Sequence, residues 1–413
     1  MTTILHRGYK YRIYPDEDQI KYFMQTFGCR RKVYNAYVDA LYRQLEAMGY
    51  ENGYIRKKDL HFVTPATMKA DYPFLKEVDS LALCNAQLAF QGALTRFNQE
   101  FDKKSYTKRS LKRKQTLGKE PTFRDLKGMP RFKSIKNGDF SYTTNNQSHG
   151  GKWKDISLNK GWLTIPKVKT PIRVKQHRPL PEGAIIKNAT ISMDHKGRFF
   201  ASLGVECTKE IIPVQPESFV GLDYAQWDFY VDSDGKKASY PHYYRKSEKK
   251  LSREQRKLSH MVKGSQNWEK QKTKVTALHS KISQQRRDWL HQRSTAMANQ
   301  VDMVAVEDID LRAMGQTLRL AKNLQDNGFG MFRIMLQYKL EERGKVFIKI
   351  DRRYPSSKLC RHCGYVHTEL GLNERNGRVP AVVPNWIGTT MPPSISGRLA
   401  SSFSSPSAPE GWE

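Results

Sequence analysis

Cysteine is scarce and unevenly spaced in this 413-residue chain: Cys29, Cys84, Cys207, Cys360 and Cys363 make up the whole set. So thin a supply excludes a disulfide-stapled scaffold and suits a reducing compartment. Acid is scarce too, with 41 Asp plus Glu against 71 Lys plus Arg and a net charge of +30. A polyanionic partner is the economical reading of that imbalance. Long apolar runs are missing, and Met1 to Gln19 lacks the apolar core of a signal peptide. The expectation is a cytoplasmic, nucleoid-associated protein with no membrane partner.

The length allows two to four domains and a substantial core that depends on neither disulfides nor metal. Cations interleave with Tyr and Phe over the first 300 residues instead of gathering in one tail. That mixture suits phosphate contacts combined with base stacking.

Tyr9 to Pro15 alternates as an edge strand stopped by its proline. Asp16 is placed as an N-cap, with Ile20, Phe23, Met24 and Phe27 at helical spacing behind it. A second helix is predicted from about Arg30 to Met48, with Tyr34, Tyr37 and Tyr42 as core, and a third from Leu81 to Phe101. The basic stretch from Ser105 to Lys119 predicts a flexible or nucleic-acid-bound linker. Short alternating segments follow at Phe140 to Thr144, Trp162 to Ile165, Ile172 to Val174, Ile185 to Met193 and Phe199 to Glu206, and His195-Lys196-Gly197 marks a hairpin. Together they predict a small antiparallel β-barrel, which the first strand can complete. Asn145-Asn146-Gln147 reads as a turn.

Beyond the connector from Ile211 to Pro216, the pattern becomes α/β. Val220-Gly221-Leu222-Asp223 is an apolar strand ending in an acid, answered by Asp228 to Asp232. Lys246 to Gln292 predicts a charged helical hairpin broken near Lys263-Gly264-Ser265. Val301 to Glu307 is the next apolar strand ending in an acid, followed by a helix from Phe329 to Arg343 and a strand from Val346 to Ile350. Ligands collect at such strand ends in α/β sheets. One acid after a strand usually caps the next element. Two of them, Asp223 and Glu307, on a chain suited to nucleic acid favour a site for hard divalent cations, Mg2+ or Mn2+, in phosphodiester cleavage.

These stretches resemble the TnpB family of transposon-encoded RNA-guided DNA endonucleases, which is related to miniature CRISPR effector nucleases. The resemblance rests on Tyr9 to Pro15, Phe27-Gly28-Cys29-Arg30, Val33-Tyr34-Asn35, Leu81 to Phe97 and Met129-Pro130-Arg131-Phe132-Lys133. It continues through Gly221-Leu222-Asp223, Arg287-Asp288-Trp289-Leu290-His291, Val306-Glu307-Asp308 and Tyr354 to Cys360. It implies an α+β multidomain protein with a helical recognition module, a small antiparallel β-barrel wedge, and an RNase H-like α/β RuvC nuclease domain carrying a partial zinc ribbon. The implied boundaries are 1–15 for the first wedge strand, 16–104 for the helical module, 105–212 for the basic linker and wedge, 216–355 for the RuvC domain and 356–375 for the partial zinc ribbon. An aberrant tail, expected to be disordered, then occupies 376–413. The resemblance also implies a guide RNA derived from the transposon end and a double-stranded DNA target. By motif match it makes Asp223 and Glu307 the first two catalytic, metal-binding acids, and Cys360 and Cys363 half of a Zn2+ site.

The match breaks after Arg375, where the family's second cysteine pair and its Asp-x-Asn acid are missing and the chain turns rich in Ser and Pro. Reading from the last base of the Trp386 codon, Trp386 with Ile387 compels Asp, and Met391 with Pro392 compels Ala. In the same frame Asn385 with Trp386 compels Leu, and the intervening codons permit the family's Asp-Arg-Asp-x-Asn-Ala-Ala-Ile-Asn-Ile. The expectation is that residues from about 376 onward are the family's C-terminus in a shifted frame. A four-ligand zinc site and the third carboxylate would then both be lost, leaving either an impaired endonuclease or a nuclease-dead RNA-guided DNA-binding protein or repressor. Asp308, Asp310 and Asp326 are read as surface acids or helix caps. Arg286, Arg287 and His291, with Arg131 and Lys133, are candidate nucleic-acid contacts. The run Lys246, Lys249, Lys250, Arg253, Arg256 and Lys257 is read first as an exposed helix face.

Overall fold

The computed structural model describes residues 2–99, 105–149, 152–153, 155–311 and 326–351. The chain divides into two compact units, one covering Thr2–Lys209 and the other beginning at Glu210.

The first unit opens with strand β1 (Thr2–Tyr14) and helix α1 (Glu17–Ala47). Asp16 begins α1 as predicted: its carboxylate accepts the Gln19 N–H at 2.8 Å, and the Gln19 side chain accepts the Asp16 N–H at 3.1 Å. The two helices expected here are one. Gly28 lies between them, and a helical glycine costs only about 1 kcal/mol. Phe23, Phe27, Cys29, Val33, Tyr37, Leu41 and Leu45 run past it on one buried stripe. Ile20 and Met24, set on that stripe by periodicity, are exposed. Helices α2 (Pro65–Asp71), α3 (Ser80–Asn98) and α4 (Lys108–Thr116) follow. Tyr34, Tyr37 and Tyr42 are core, packed with Phe90, Leu94 and Phe97. Helix α4 occupies the basic stretch expected to be a linker. Thr107 caps it by accepting the Ser110 N–H at 3.2 Å, and none of its residues is buried.

The strands of this unit are β2 (Ser141–Asn145), β3 (Ser148–His149), β4 (Lys152–Trp153), β5 (Ser157–Asn159), β6 (Trp162–Thr164), β7 (Ile172–Lys175), β8 (Ile185–Met193) and β9 (Phe199–Glu210). Six of them and β1 form one seven-stranded sheet in the order β2-β8-β9-β1-β7-β6-β5. The two ends of that order are different strands, so the sheet is a curled antiparallel half-barrel rather than a closed barrel. β1 lies at its centre, not at its edge. Alternation fills the inner face with Tyr9, Tyr11, Ile13, Leu163, Ile172, Ile191, Ala201 and Leu203. Asn146 is a buried tether: its amide donates to Ile156 and Ile186 carbonyls at 3.1 and 2.8 Å and accepts the Ile156 N–H.

The second unit holds β10 (Phe219–Ala225), β11 (Phe229–Asp232), helices α5 (Tyr243–Ser259) and α6 (Gln266–Gln300), β12 (Met303–Glu307), helix α7 (Phe329–Glu341) and β13 (Val346–Ile350). The sheet order is β11-β10-β12-β13, antiparallel at β11 and parallel elsewhere. The predicted hairpin break is present, and Ser265 caps α6 by accepting the Trp268 N–H. Val220, Leu222 and Tyr224 of β10 and Val304 and Val306 of β12 face α6 and α7, meeting Leu290, Met297, Phe329, Phe332 and Leu336. The alternate residues Met303 and Ala305 join Ile350 on the other face. No helix among the described residues is long and apolar enough to cross a membrane.

Candidate metal centre

Period-two alternation decides where the two acids point. Asp223 alternates with Leu222 and Tyr224, and Glu307 with Val306, so both lie on the sheet face turned away from α6 and α7. Leu222 pairs with Val306 across the parallel strands, and one further register step sets Asp223 beside Glu307. Neighbouring strands are about 4.8 Å apart. β12 ends at Glu307 as expected, whereas β10 continues beyond Asp223 to Ala225, held by the Tyr224–Tyr230 and Ala225–Phe229 pairs. Asp223 therefore sits within a paired strand, not at a free end.

Burial raises the Asp223 carboxyl pKa to about 7, and the nearby Glu307 carboxylate adds to the rise, while the Tyr224 N–H partly offsets it. Two partly buried carboxylates side by side can share a proton or a hard cation. Among the described residues, no group of three or more His, Cys, Asp and Glu side chains is placed to hold a metal. Asp308 lies next in β12's direction, but Arg333 claims it: the guanidinium donates to the Glu307 carbonyl at 2.9 Å and stands 3.5 Å from the Asp308 carboxylate.

Of the two readings of Asp326, surface acid or helix cap, the structure shows the cap. It is 1 % exposed and caps α5 from a distance, accepting the Tyr244 N–H at 3.0 Å, with Arg286 and His242 each 3.8 Å away. Next to it, Asn327 donates to the Tyr224 hydroxyl at 3.0 Å and accepts the Phe329 N–H at 3.3 Å. The residue after Asp223 is thus tied to the start of α7. Arg286, Arg287 and His291 lie on α6, which packs on the opposite face from the acid pair. Arg286 turns inward to Asp326, Arg287 is exposed, and the His291 carbonyl accepts the Lys339 ammonium at 2.8 Å. In the first unit Lys133 is held internally, 4.3 Å over the Tyr34 ring and 3.8 Å from Asp139, whereas Arg131 is exposed. Cys360 and Cys363 lie outside the described residues.

Lys339 gave no functional signal in the sequence except its position on the apolar stripe of α7. It is 7 % exposed and also donates to Ser294 and Thr295 hydroxyls at 2.7 and 2.6 Å. Burial, with the Arg343 charge adding to it, lowers its pKa to about 8.

Comparison with known proteins gives 32% identity over 369 residues to "Putative RNA-guided DNA endonuclease" of Streptomyces pristinaespiralis, covering 89% of this chain and 83% of the relative. The chain belongs to the TnpB family. A second TnpB-type relative, "Putative RNA-guided DNA endonuclease InsQ" of Escherichia coli strain K12, is 30% identical over 62% of this chain and 64% of its own length. Three family models match in order: "Probable transposase" over residues 202–318, "Helix-turn-helix domain" over 1–49, and "Cas12f1-like, TNB domain" over 329–386. Within 2–49 the structure holds one strand and one 31-residue helix, not a helix-turn-helix. The TNB match runs past residue 375, so the likeness reaches beyond the point where the motif pattern breaks. Among solved structures, a Cas12f1 chain from a complex with single guide RNA and target DNA aligns with TM-score 0.51 at 12% identity, covering 89% of this chain and 93% of that one. At that identity the match concerns the fold.

Proposed function

We propose that the chain is, by descent, an RNA-guided DNA endonuclease of a transposon, with its cleavage centre at Asp223 and Glu307 and its cleavage impaired. The observation that carries this reading is the placement of the two acids on adjacent parallel strands and one sheet face. Two carboxylates this close, one of them driven toward protonation, lack the positive charge that would let both ionise; Mg2+ or Mn2+ has the hardness and charge to fit. Such an ion, when bound, activates water and stabilises the leaving oxygen of a phosphodiester. The protein's part is to hold the two carboxylates in register and keep them partly shielded from solvent. The β11-β10-β12-β13 order suits an RNase H-like RuvC domain.

Guide RNA from the transposon end and a DNA duplex are the proposed partners, as the relatives' names and the net charge of +30 both favour. The sequence after Arg375 offers neither a second cysteine pair nor the family's Asp-x-Asn, so Cys360 and Cys363 give only half a zinc site. A second reading, a nuclease-dead RNA-guided DNA-binding protein, is favoured by the lack of a third ligand beside the acid pair among the described residues.

Both readings meet one experiment: incubating the chain with guide RNA, target duplex and Mg2+, beside a version re-framed after residue 375. Guide-dependent retardation with slow cleavage, rising in the re-framed chain, is expected. No cleavage by either chain favours the binder, and DNA joining without RNA overturns both.

A further inference from the structure

The acid pair leaves the α5–α6 hairpin without a role, although α5 carries a run of six cations in twelve residues. On α5, Lys246, Lys249, Lys250, Arg253, Arg256 and Lys257 are all exposed. A helix advances about 100° and 1.5 Å per residue, so Lys246, Lys250, Arg253 and Lys257 fall on a stripe roughly 60° wide and about 16 Å long. Lys249 and Arg256 flank it on one side. The opposite face carries Leu251, buried against Val275 and Ile282 of α6, with Leu258 and Leu278 beside them.

The acids of α5 do not neutralise this stripe. Among the described residues Glu254 is the only carboxylate ion-paired to the stripe, at 3.4 Å from Arg253 and 3.9 Å from Lys257, and the Gln271 amide holds it from α6 at 2.8 Å. Gln271 also donates to the Glu254 carbonyl at 3.0 Å, which braces α5 against α6. The cations thus stand in a row on a braced helix, their backbone positions separated by about 4.5 to 6 Å along the axis. No aromatic side chain lies on the stripe to stack an unpaired base.

We infer that the outer stripe of α5 is a sequence-independent track for the phosphate backbone of double-stranded DNA. Regularly spaced phosphates on a stiff duplex match a straight row of cations, and contacts of this kind carry no base readout. The stripe offers long, flexible cations and no groups preset for base edges. It would hold the duplex before and independently of chemistry at Asp223. This inference rests on the nucleic-acid reading above but needs neither guide RNA nor metal.

The test uses the full chain and a random-sequence 30-base-pair DNA duplex, titrated by fluorescence anisotropy over a range of KCl concentrations without RNA or divalent ions. The parent is compared with the quadruple variant Lys246→Gln, Lys250→Gln, Arg253→Gln, Lys257→Gln. A control removes the same charge elsewhere, at the exposed Lys58, Lys76, Lys119 and Lys136. Each lost phosphate contact lowers the slope of log K against log salt by about 0.9. The α5 variant is expected to lose a slope of about 3 and at least tenfold in affinity at low salt, and the control less than one third of that. Equal losses in the two variants overturn the inference, as does an α5 variant that loses only single-stranded binding. Circular dichroism and thermal melting of both variants establish that they fold. The assay contains no guide RNA and no divalent ion, so failure of the cleavage reading leaves this result intact.

Discussion

Asp223 and Glu307 stand side by side on parallel strands, one register step beyond the Leu222–Val306 pair, and share the sheet face that α6 and α7 leave open. Their proximity has a consequence for stability in the absence of metal. Unfolded Asp223 loses its proton near its ordinary pKa of 3.8, the folded one at about 7. Between those values the native state keeps a proton that the unfolded chain has released, so stability falls as pH rises. At about 1.4 kcal/mol per pKa unit the loss between pH 5 and pH 8 is on the order of 3 kcal/mol. Urea unfolding at pH 5 and pH 8 in EDTA measures it, and Asp223→Asn is expected to flatten most of the difference.

Lys339 titrates in the opposite sense. Its folded pKa of about 8 lies below the ordinary 10.5, so above pH 8 the unfolded state binds the extra proton and stability gains as pH rises. Lys339→Met removes that gain. The difference in unfolding free energy between parent and variant is expected to widen by about 1–2 kcal/mol from pH 7.5 to pH 9.5, read by urea titration at each pH.

Asp326 joins the first turn of α5 to the start of α7. Asp326→Ala leaves the Tyr244 N–H and the half-buried Arg286 guanidinium without their carboxylate. Discounted for Arg286's partial exposure, the cost is about 2–4 kcal/mol. Hydrogen exchange at the Tyr244 amide is expected to accelerate more than exchange in β12, because the cap is lost locally.

Gly344 closes the turn between α7 and β13 at φ +72°, and a Cβ there would lie 2.0 Å from the Ile212 carbonyl oxygen. The neighbouring Val214 N–H donates to the Gly344 carbonyl at 2.8 Å, so the connector before β10 is fastened here. Gly344→Ala combines a left-handed backbone with a backbone clash and is expected to cost about 2–4 kcal/mol, seen as a lower melting temperature.

The acid pair was legible because each acid closes an unbroken apolar run, a signal contained in a handful of adjacent residues. Strand β8 (Ile185–Met193) and strand β13 (Val346–Ile350) were legible for the same local reason. What escaped depends on distant partners. β1 looked like an edge strand because nothing near Tyr14 reveals that β9 and β7 flank it. Asp326 could be read only as a surface acid or a cap, with nothing local to choose between them, because the N–H it accepts, on Tyr244, is 82 residues earlier in the chain. Helix α1 read as two helices because helix propensity is local, whereas the packing of Phe27 and Cys29 on either side of Gly28 is not. Cys360 and Cys363, expected from the sequence to be half of a zinc site, lie outside the described residues.

The central claim, that Asp223 and Glu307 jointly hold a divalent cation, is tested most directly by Mn2+ titration of the full chain at pH 8, read by electron paramagnetic resonance of the free ion. The account predicts a bound Mn2+ that is weakened at least tenfold, about 1.4 kcal/mol, by Asp223→Asn and by Glu307→Gln, with both variants still folded. Mn2+ binding that is unchanged in both variants would contradict it.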